Sequence, residues 1–276
     1  AGEANDLNAT EATATTAVTL SLASDASFVS AAIGGTPLTE VTPGSAYTFD
    51  ATGLADGNHV ITVVSQDTAG NQTTTTKTVS IDTAAPTGTT VSAVSSDNAI
   101  NAAEKAEGIT VSGTAEADSS VSITWGGVTR TTTTDGDGNW SLAYSSAQVP
   151  TDQSDISVTA TDAAGNPSAS PTTHSVTVDT AAPSGVSIDG GSTITTNSAT
   201  PTVTVNVANL LNAEDGATVE LLVNGGVVAS STLATGATSA AIALPTTTDG
   251  TYDLVARVTD VAGNVTTTAA TDLIVD

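Results

Sequence analysis

The pattern Asp-x-Ala-Gly-Asn occurs three times in this chain of 276 residues, each time ahead of a Thr- and Ser-rich stretch that ends in a single Asp. The aspartates that open the pattern or close the stretch are, in order, Asp67, Asp82, Asp162, Asp179, Asp260 and Asp276. The closing aspartates are evenly spaced, since 179 − 82 = 97 and 276 − 179 = 97. A fixed long period is the signature of a tandem array, in which each period forms one structural unit.

The period predicts three domains, at residues 1–82, 83–179 and 180–276, which we call repeats 1, 2 and 3. Each repeat is long enough to bury a small hydrophobic core of its own. Repeat 1 is the shortest, and we expect it to lack its first strand. The phrase Asp-Thr-Ala-Ala-Pro opens both links between repeats, at residues 82–86 and 179–183.

The chain is strongly acidic, with 29 Asp and Glu against 4 Lys and Arg, and a formal net charge of −25. This charge excludes nucleic acids and anionic membrane surfaces as partners, because both require a basic protein surface. There is no run of 18 apolar residues that would predict insertion into a membrane, and there is no Cys for disulfide or thiol chemistry. Such a charge opposes compaction by self-repulsion unless solvent or bound cations compensate it.

Short runs of alternating apolar and polar residues, rich in Thr and Val, predict an all-β fold. Residues 121–125 and 202–207 are examples, and branching at Cβ suits such residues to a pleated strand. Glycine pairs that signal turns separate the runs, as at Gly126-Gly127 and Gly225-Gly226. No amphipathic helix is expected. Several short strands in each period predict a Greek-key β-sandwich of immunoglobulin type in each repeat.

Three phrases carry a family resemblance: the Asp-x-Ala-Gly-Asn pattern, the Asp-Thr-Ala-Ala-Pro link and Ser-Gly-Thr-Ala-Glu at residues 112–116. Together they resemble the bacterial immunoglobulin-like domains of giant adhesins exported by type I secretion, among them RTX and biofilm adhesins. The resemblance implies three tandem sandwiches in an extended rod, with Ca2+ at the junctions. It also implies an extracellular or cell-surface location, and a monomer that contacts neighbouring repeats and, through its adhesin, host glycans or surface receptors.

A strand map of repeat 2 shows which loops would meet at a junction. In an immunoglobulin topology, the B–C and F–G loops lie at the end where the chain enters the domain. The A–B loop and the end of strand G lie at the opposite end. The map places strand A near Thr90–Val94, B at Ile109–Thr114, C at Val121–Trp125, F at Ile156–Thr161 and G at Thr173–Val178.

The map predicts two calcium sites, one at each junction. The first set of candidate ligands is Asn8, Glu11, Asp82, Glu116, Asp118 and Asp162, and the second is Asn101, Glu104, Asp179, Glu214, Asp215 and Asp260. Oxygen donors without His or Cys are typical of a calcium site. The alternative is that these residues only stabilise turns, since Asp and Asn favour turns without any metal.

Other acidic residues have a different status. Asp25, Asp67 and Asp276 are expected to belong to half-sites whose partner residues lie outside the chain. Repeat 3 has Asn197 but no acid in the loop that corresponds to the other A–B loops. The phrase at residues 135–140 resembles the start of an EF-hand loop, but it lacks the Glu of such a loop, so a tight turn is predicted.

The remaining side chains favour a structural role over catalysis. Trp125 alternates in phase with Val121 and Ile123, which predicts a core position, and Trp140 is expected to pack as well. Core or corner positions are also expected for Phe28, Tyr47, Phe49, Tyr144 and Tyr252. His59 and His174 lie in different repeats, without a nucleophile at a suggestive spacing, and no enzymatic activity is expected.

Three functions are compatible with these features. The first is a structural spacer of a bacterial surface adhesin, stiffened by Ca2+ at its junctions. The second is a ligand-binding module, with a glycan, a host protein or ice as its target. The third is an accessory domain of a secreted hydrolase. The spacer is preferred because the distinctive residues of the sequence lie at the predicted junctions.

Overall fold

The computed structural model describes residues 6–13, 15–19, 22, 24–42, 46–50, 53–209, 216–234 and 236–276. Strands form most of this part of the chain, so the predicted all-β fold is confirmed. Among the described residues, no helix is both long enough and apolar enough to cross a membrane.

The strands of repeat 1 are β1 (Asp6–Leu7), β2 (Thr15–Thr19), β3 (Ala26–Ile33), β4 (Thr36–Pro37), β5 (Thr39–Thr42), β6 (Ala46–Asp50), β7 (Gly57–Asp67) and β8 (Gln72–Ile81). Those of repeat 2 are β9 (Ala99–Ile100), β10 (Ile109–Thr114), β11 (Ser120–Trp125), β12 (Val128–Thr133), β13 (Asn139–Tyr144), β14 (Ile156–Thr161), β15 (Thr172–His174) and β16 (Thr177–Val178). Those of repeat 3 are β17 (Ser184–Ile188), β18 (Thr193–Thr196), β19 (Thr202–Asn209), β20 (Thr218–Val223), β21 (Gly226–Thr232), β22 (Ser239–Ala243), β23 (Gly250–Thr259), β24 (Val265–Thr267) and β25 (Thr271–Val275).

The chain divides into two compact units that do not follow the repeat boundaries. Unit 1 comprises residues 1–92, 112–142 and 157–173, and unit 2 comprises residues 93–111, 143–156 and 174–276. Repeat 1 therefore lies in unit 1, repeat 3 lies in unit 2, and repeat 2 contributes to both.

Repeat 1 contains two sheets, with strand orders β1-β8-β7-β3-β4 and β2-β6-β5. Strand β1 pairs parallel with the end of β8, while the other neighbours in these sheets are antiparallel. The buried cluster on the first sheet consists of Ile33, Ile61 and Val79, with partly buried Leu7 and Leu38 packed against it. The side chains of Tyr47 and Phe49 lie outside the described residues, and Phe28 is half-buried.

Repeat 2 confirms the two predicted Trp positions. In the sheet β12-β11-β14-β15, every second residue of β11 is buried, and Trp125 at its end is 1% exposed. Trp140 on β13 is 3% exposed. The predicted strands B and F match β10 and β14 in both bounds, because alternation and β-branched residues mark them clearly.

Repeat 3 has an extensive apolar cluster between its two sheets. Its sheets are β17-β19-β22 and β18-β25-β23-β20-β21, with β24 also paired to β23. Inward-facing residues of both sheets, such as Val205 and Leu254, are fully buried in this cluster, as a sandwich requires. On the outer face, the Arg257 guanidinium contacts the Glu220 carboxylate at 2.6 Å across paired strands, and this contact raises the pKa of Arg257.

The predicted A–B loop of repeat 2 contains a short helix, α1 (Ala102–Glu107), which is not amphipathic because it buries no residue. Asn101 caps α1 by accepting hydrogen bonds from the backbone N–H groups of Ala103 and Glu104, and the Glu104 carboxylate accepts from the N–H of Asn101. This reciprocal arrangement is a capping box. The helix has fewer than two turns and no buried residue, so it leaves no apolar periodicity in the sequence.

A corner hydrogen bond occurs at the start of β7 in repeat 1 and at the start of β23 in repeat 3. The Tyr252 hydroxyl donates to the backbone O of Thr248 at 2.8 Å, four residues upstream, which is a tyrosine corner. His59 occupies the same third position of its strand, and its Nε2 lies 2.7 Å from the backbone O of Ala55, also four residues upstream. The predicted corner position of Tyr252 is confirmed, and His59 has a structural role that the sequence analysis did not assign.

We expect His59→Phe to lower the free energy of unfolding of unit 1 by about 0.5–1 kcal/mol, because it removes one partly exposed hydrogen bond. His59→Tyr should retain the stability, since a phenol hydroxyl makes the same bond in repeat 3. Urea denaturation of the two variants measures the difference, with Tyr252→Phe as the matched change in unit 2. Equal stability of the Phe and Tyr variants at position 59 would contradict the assignment.

Candidate functional site

The repeated Asp-x-Ala-Gly-Asn pattern folds into one kind of hairpin turn. At its first occurrence, the N–H of Asp67 donates to the O of Asn71, and the N–H of Gly70 donates to the O of Asp67. The Asp67 carboxylate accepts from the N–H groups of Ala69 and Asn71 and from the Asn71 side-chain amide, at 2.8–2.9 Å. Gly70 has a backbone φ of +87°, which residues other than Gly rarely adopt. Each named residue of the pattern therefore has a role in the turn.

The turns at residues 162–166 and 260–264 repeat this arrangement. In each, the Asp carboxylate accepts from the backbone N–H and from the side-chain amide of the Asn four residues later, at 2.7–2.9 Å. The phrase at residues 135–139 forms a fourth such turn, because Asp135 and Asn139 make the same backbone and side-chain hydrogen bonds. The prediction of a tight turn there is confirmed.

Hydrogen bonding within the exposed turns stabilises the ionised carboxylates. The Asn71 side-chain amide and then its backbone N–H hold the pKa of Asp67 below its ordinary value. At the fourth turn, the backbone N–H of Asn139 is the largest cause of a lowered pKa at Asp135. Because these pKa values are lowered in the folded state, the contribution to stability is present above the ordinary Asp pKa and is lost as the pH falls through the lowered value.

At the first junction, the side-chain amide of Asn166 joins repeat 2 to repeat 1. Its Nδ2 donates to the backbone O of Asp82 at 2.8 Å, and its Oδ1 accepts from the backbone N–H of Ala9 at 2.7 Å. Asn166 is 2% exposed and Asp162 is 8% exposed. All four residues belong to unit 1. The turn of repeat 2 therefore holds both the last residue and the first loop of repeat 1.

The loop that presents Ala9 to Asn166 is organised by Asn8 and Glu11. The Asn8 side chain accepts from the N–H groups of Thr10 and Glu11, at 2.9 and 3.0 Å, and Glu11 Oε2 accepts from the N–H of Asn8 at 3.2 Å. A short 3-10 turn, Glu11–Thr13, follows. The Asn-x-x-Glu phrase thus forms a box like that at α1, and it leaves the N–H of Ala9 directed at its neighbour.

The second junction, within unit 2, repeats the first. Asn264 Nδ2 donates to the backbone O of Asp179 at 2.9 Å, and Asn264 Oδ1 accepts from the backbone N–H of Ala102 at 2.9 Å. Asp179, Asp260 and Asn264 are 5–7% exposed. Ala102 follows Asn101 of the capping box, as Ala9 follows Asn8. The same contact between repeats, which we call a joint, is therefore built twice from the same residue types: the Asn amide of one repeat holds the last Asp and the first loop of the repeat before it.

The structure brings together part of each predicted ligand set. Contacts among the loop of Asn8 and Glu11, the residue Asp82 and the turn of Asp162 unite four of the six residues of the first set. The corresponding four of the second set, around Asn101, Glu104, Asp179 and Asp260, are united in the same way.

The remaining candidates are not drawn into these joints. Glu116 and Asp118 are exposed, and their side chains make no hydrogen bond to any described residue. Glu214 and Asp215 lie outside the described residues. Asp25 and Asp276, predicted for half-sites, are exposed. The residues that the sequence analysis missed are Asn166 and Asn264, although the pattern contains both.

The donor set at the joints has the chemistry of a hard cation site. Asp162, Asp179 and Asp260 are buried carboxylates, and the ion pair found in the described part of the chain, Arg257–Glu220, involves none of them. A buried carboxylate without a basic partner is compensated by N–H donors or by a cation. The oxygen donors suit Ca2+. However, among the described residues no three Asp, Glu or His side chains lie close enough to form a metal centre.

Both His residues are held in structural hydrogen bonds. His59 contacts Ala55 as described above, and His174 Nε2 lies 2.7 Å from Asn98 Oδ1. These contacts give each ring a role in its own repeat that is unrelated to the joints.

Family models match most of the chain. The model for a bacterial Ig domain matches residues 101–179, that for a bacterial Ig-like domain matches residues 184–276, and that for a bacterial Ig-like domain of group 3 matches residues 44–133. The chain belongs to the bacterial Ig-like domains. Its strands form tandem β-sandwiches of this family, as the resemblance implied.

Several solved structures of adhesins are similar to this bacterial Ig-like chain. A structure from a 1.5-MDa bacterial ice-binding adhesin is 28% identical over 99% of this chain and 95% of that one, with a TM-score of 0.40. A Ca2+-stabilized adhesin of an Antarctic bacterium is 30% identical over 98% of this chain and 71% of that one, with a TM-score of 0.43. An Ig-like domain of the M. primoryensis ice-binding adhesin is 39% identical over 35% of this chain and all of that one, with a TM-score of 0.29. No curated protein matches the chain.

Proposed function

We propose that this chain is a structural spacer in a bacterial surface adhesin, located outside the cell, and that it has no catalytic role. The observation that carries the proposal is the joint itself. The same Asn amide, buried against the end of one repeat and its first loop, occurs at both junctions. A joint that recurs with the repeat suits a chain whose role is to hold distant parts at a set spacing.

Calcium is the proposed stiffening ion at these joints. Asp82 and Asp162 would hold it at the first junction and Asp179 and Asp260 at the second, with the other residues of the two predicted sets as further ligands. Asp82 and Asp179 each accept a backbone N–H bond on Oδ1, from Ala84 and Ala181, and no hydrogen bond from the described residues reaches the other carboxylate oxygen. The ion would reduce the repulsion among the carboxylates at each junction, in a chain of net charge −25.

The location of the protein would control this stiffening. Cytosolic calcium is scarce, so the joints would remain flexible before export of the chain. Extracellular calcium is near millimolar and saturates even weak sites. Binding to the folded state alone would then raise the stability by mass action.

We expect removal of calcium with EDTA to lower the melting temperature and to broaden the distribution of chain dimensions in small-angle scattering. Asp82→Ala with Asp162→Ala should abolish the calcium response of the first junction, and Asp179→Ala with Asp260→Ala that of the second. Calcium titrations followed by calorimetry and scattering measure both effects.

The matched control for these variants is Asp135→Ala. It removes the Asp of the fourth turn, which lies at neither joint, so the calcium response should be intact. Identical melting and scattering of the unmodified chain with and without calcium would overturn the calcium proposal.

Ligand binding is the second candidate function. All the side chains from Gln72 to Thr78 on β8 are exposed, and in the described part of the chain β1 pairs with β8 at Ser80 and Ile81. A Thr-rich, exposed strand is a surface that a glycan, a host protein or ice would contact. Glycan-array, host-cell binding and ice-affinity measurements on the whole chain test this candidate, and Thr74→Lys with Thr76→Lys should abolish any binding found.

A further inference from the structure

We infer that the turn Asp67–Asn71 of repeat 1 is a docking site for a further Ig-like repeat. This inference rests on the proposed spacer function and names its partner, but it does not require calcium. The partner must offer two backbone groups, the carbonyl of the Asp that ends its last strand and the N–H of the residue after the Asn of an Asn-x-x-Glu box. These are the groups that Asn166 and Asn264 hold within this chain.

The internal geometry of the turn is the same whether or not a partner is present. Asp67 and Asn71 make the bonds that Asp162 makes with Asn166 and that Asp260 makes with Asn264. The turn of repeat 1 also joins its two long strands, β7 and β8, as the turn of repeat 3 joins β23 and β24. The site is therefore already in the conformation that the two joints use.

The difference between the turns lies in the free hydrogen-bonding groups of the Asn. Asn71 is exposed, its Nδ2 donates to Asp67, and its Oδ1 accepts no hydrogen bond from the described residues. Asn166 and Asn264 are 2% and 5% exposed, and each uses both ends of its amide on the neighbouring repeat. Asn71 thus retains the acceptor and the second N–H that the joints employ.

The glycine of the turn provides a second, steric match. A Cβ built on Gly165 would lie 3.1 Å from Asn8 Nδ2, and one on Gly263 would lie 3.2 Å from Asn101 Nδ2. The box Asn of the preceding repeat therefore packs directly on the glycine at both joints. At Gly70 the corresponding neighbour is the flexible Gln66 side chain, whose Nε2 is 3.5 Å from the added Cβ and donates to the O of Gly70. The group that occupies this place in repeat 1 is therefore a flexible side chain and not backbone.

The test is a longer chain that carries a copy of residues 83–179, then a copy of residues 83–93, ahead of the complete 276-residue chain. The segment 83–93 supplies the link, because Asn101 and Asn8 are offset by 93 positions, so residue 1 corresponds to residue 94. NMR-detected hydrogen exchange of the side-chain amides is measured in both chains. We expect exchange of the Asn71 side-chain amide to slow at least tenfold in the longer chain, toward the rates of Asn166 and Asn264.

Two variants separate docking from mere proximity. In the longer chain, Asn71→Ala should speed backbone exchange at the new junction at least tenfold. In the 276-residue chain, the same change should leave exchange in the loop of residues 101–104 unaffected. Asn139→Ala is the matched control, since it alters the fourth turn, and it should have no effect on the junction. The Asn166 amide of the original repeat 2 reports that the 276-residue part is folded, and slow backbone exchange within the copied repeat reports that the copy is folded.

The outcomes are distinct from those of the calcium proposal. Slow exchange of the Asn71 amide in EDTA supports docking even if calcium has no effect on melting. Fast exchange of Asn71 beside a protected Asn166, with or without calcium, overturns the docking site and leaves the spacer proposal to its own test.

Discussion

Replacement of Asn166 by Ala should lower the free energy of unfolding of unit 1 by about 2–4 kcal/mol, because a buried group left without its partner costs about 1–3 kcal/mol. The change deprives three groups of a partner: the N–H of Ala9, the O of Asp82 and the Asp162 carboxylate. Urea denaturation measures the loss, and hydrogen exchange at Ala9 should locate it at the first junction. Asn264→Ala should have the corresponding effect in unit 2.

The matched control is Asn71→Ala, which alters the same type of turn in an exposed setting. It removes the hydrogen bond from the Asn71 amide to Asp67 and leaves no neighbouring repeat without a partner. We expect a cost below about 1 kcal/mol, as for other exposed hydrogen bonds. If Asn71→Ala and Asn166→Ala proved equally destabilising, the role of Asn166 would be confined to its own turn, and the joint would not depend on it.

Gly113→Ala should destabilise unit 1 by about 3 kcal/mol, near the upper end of the usual cost of overpacking. A Cβ at this position would lie 2.1 Å from the backbone O of Thr90 and 2.7 Å from the Trp140 ring. The backbone of Thr90 cannot move away freely, since its N–H donates to the O of Thr114 at 2.8 Å. Denaturation followed by the combined fluorescence of Trp125 and Trp140, both buried in repeat 2, measures the stability.

Gly136→Ala is the control for this overpacking effect. No atom lies within 4 Å of a Cβ built on Gly136, which belongs to the exposed turn before β13. Its cost should be within about 0.5 kcal/mol, as for most surface substitutions. The segment of Thr90, predicted as strand A, is not a strand in the structure, but Thr90 and Ser92 donate backbone hydrogen bonds to β10. An unchanged stability of Gly113→Ala would show that this segment is not held against β10.

Local patterns predicted the elements whose residues are governed by local rules. Alternation on β10, β11 and β14 follows from burial of one strand face, and the phase of Trp125 with Val121 and Ile123 predicted its burial. Helix α1 was missed because a capping box and fewer than two turns leave only the sign Asn-x-x-Glu, which was interpreted as metal ligands. Capping and metal binding both favour oxygen-bearing side chains, so residue type does not distinguish them.

The joints could be predicted only in part from the sequence. The strand map placed Asp82 and Asp162 at one junction, and in the structure the turn of Asp162 contacts Asp82 through Asn166. Asn166 was passed over because a turn accounts for its presence in the pattern as well as a joint does. Glu116 and Asp118 are exposed because of the path of the loop that carries them, and the spacing of residues in the sequence does not specify that path.

By itself, the sequence determined the array of repeats, the β character of each repeat, the turn chemistry and the excess of oxygen donors at the junctions, because period, alternation and composition are local or additive properties. Only the tertiary structure decided which amide meets which backbone group. Asn166 lies 84 residues from Asp82 and 157 residues from Ala9 in sequence. A hydrogen bond forms only when donor and acceptor come within about 3 Å in suitable geometry, and folding alone brings such distant groups together.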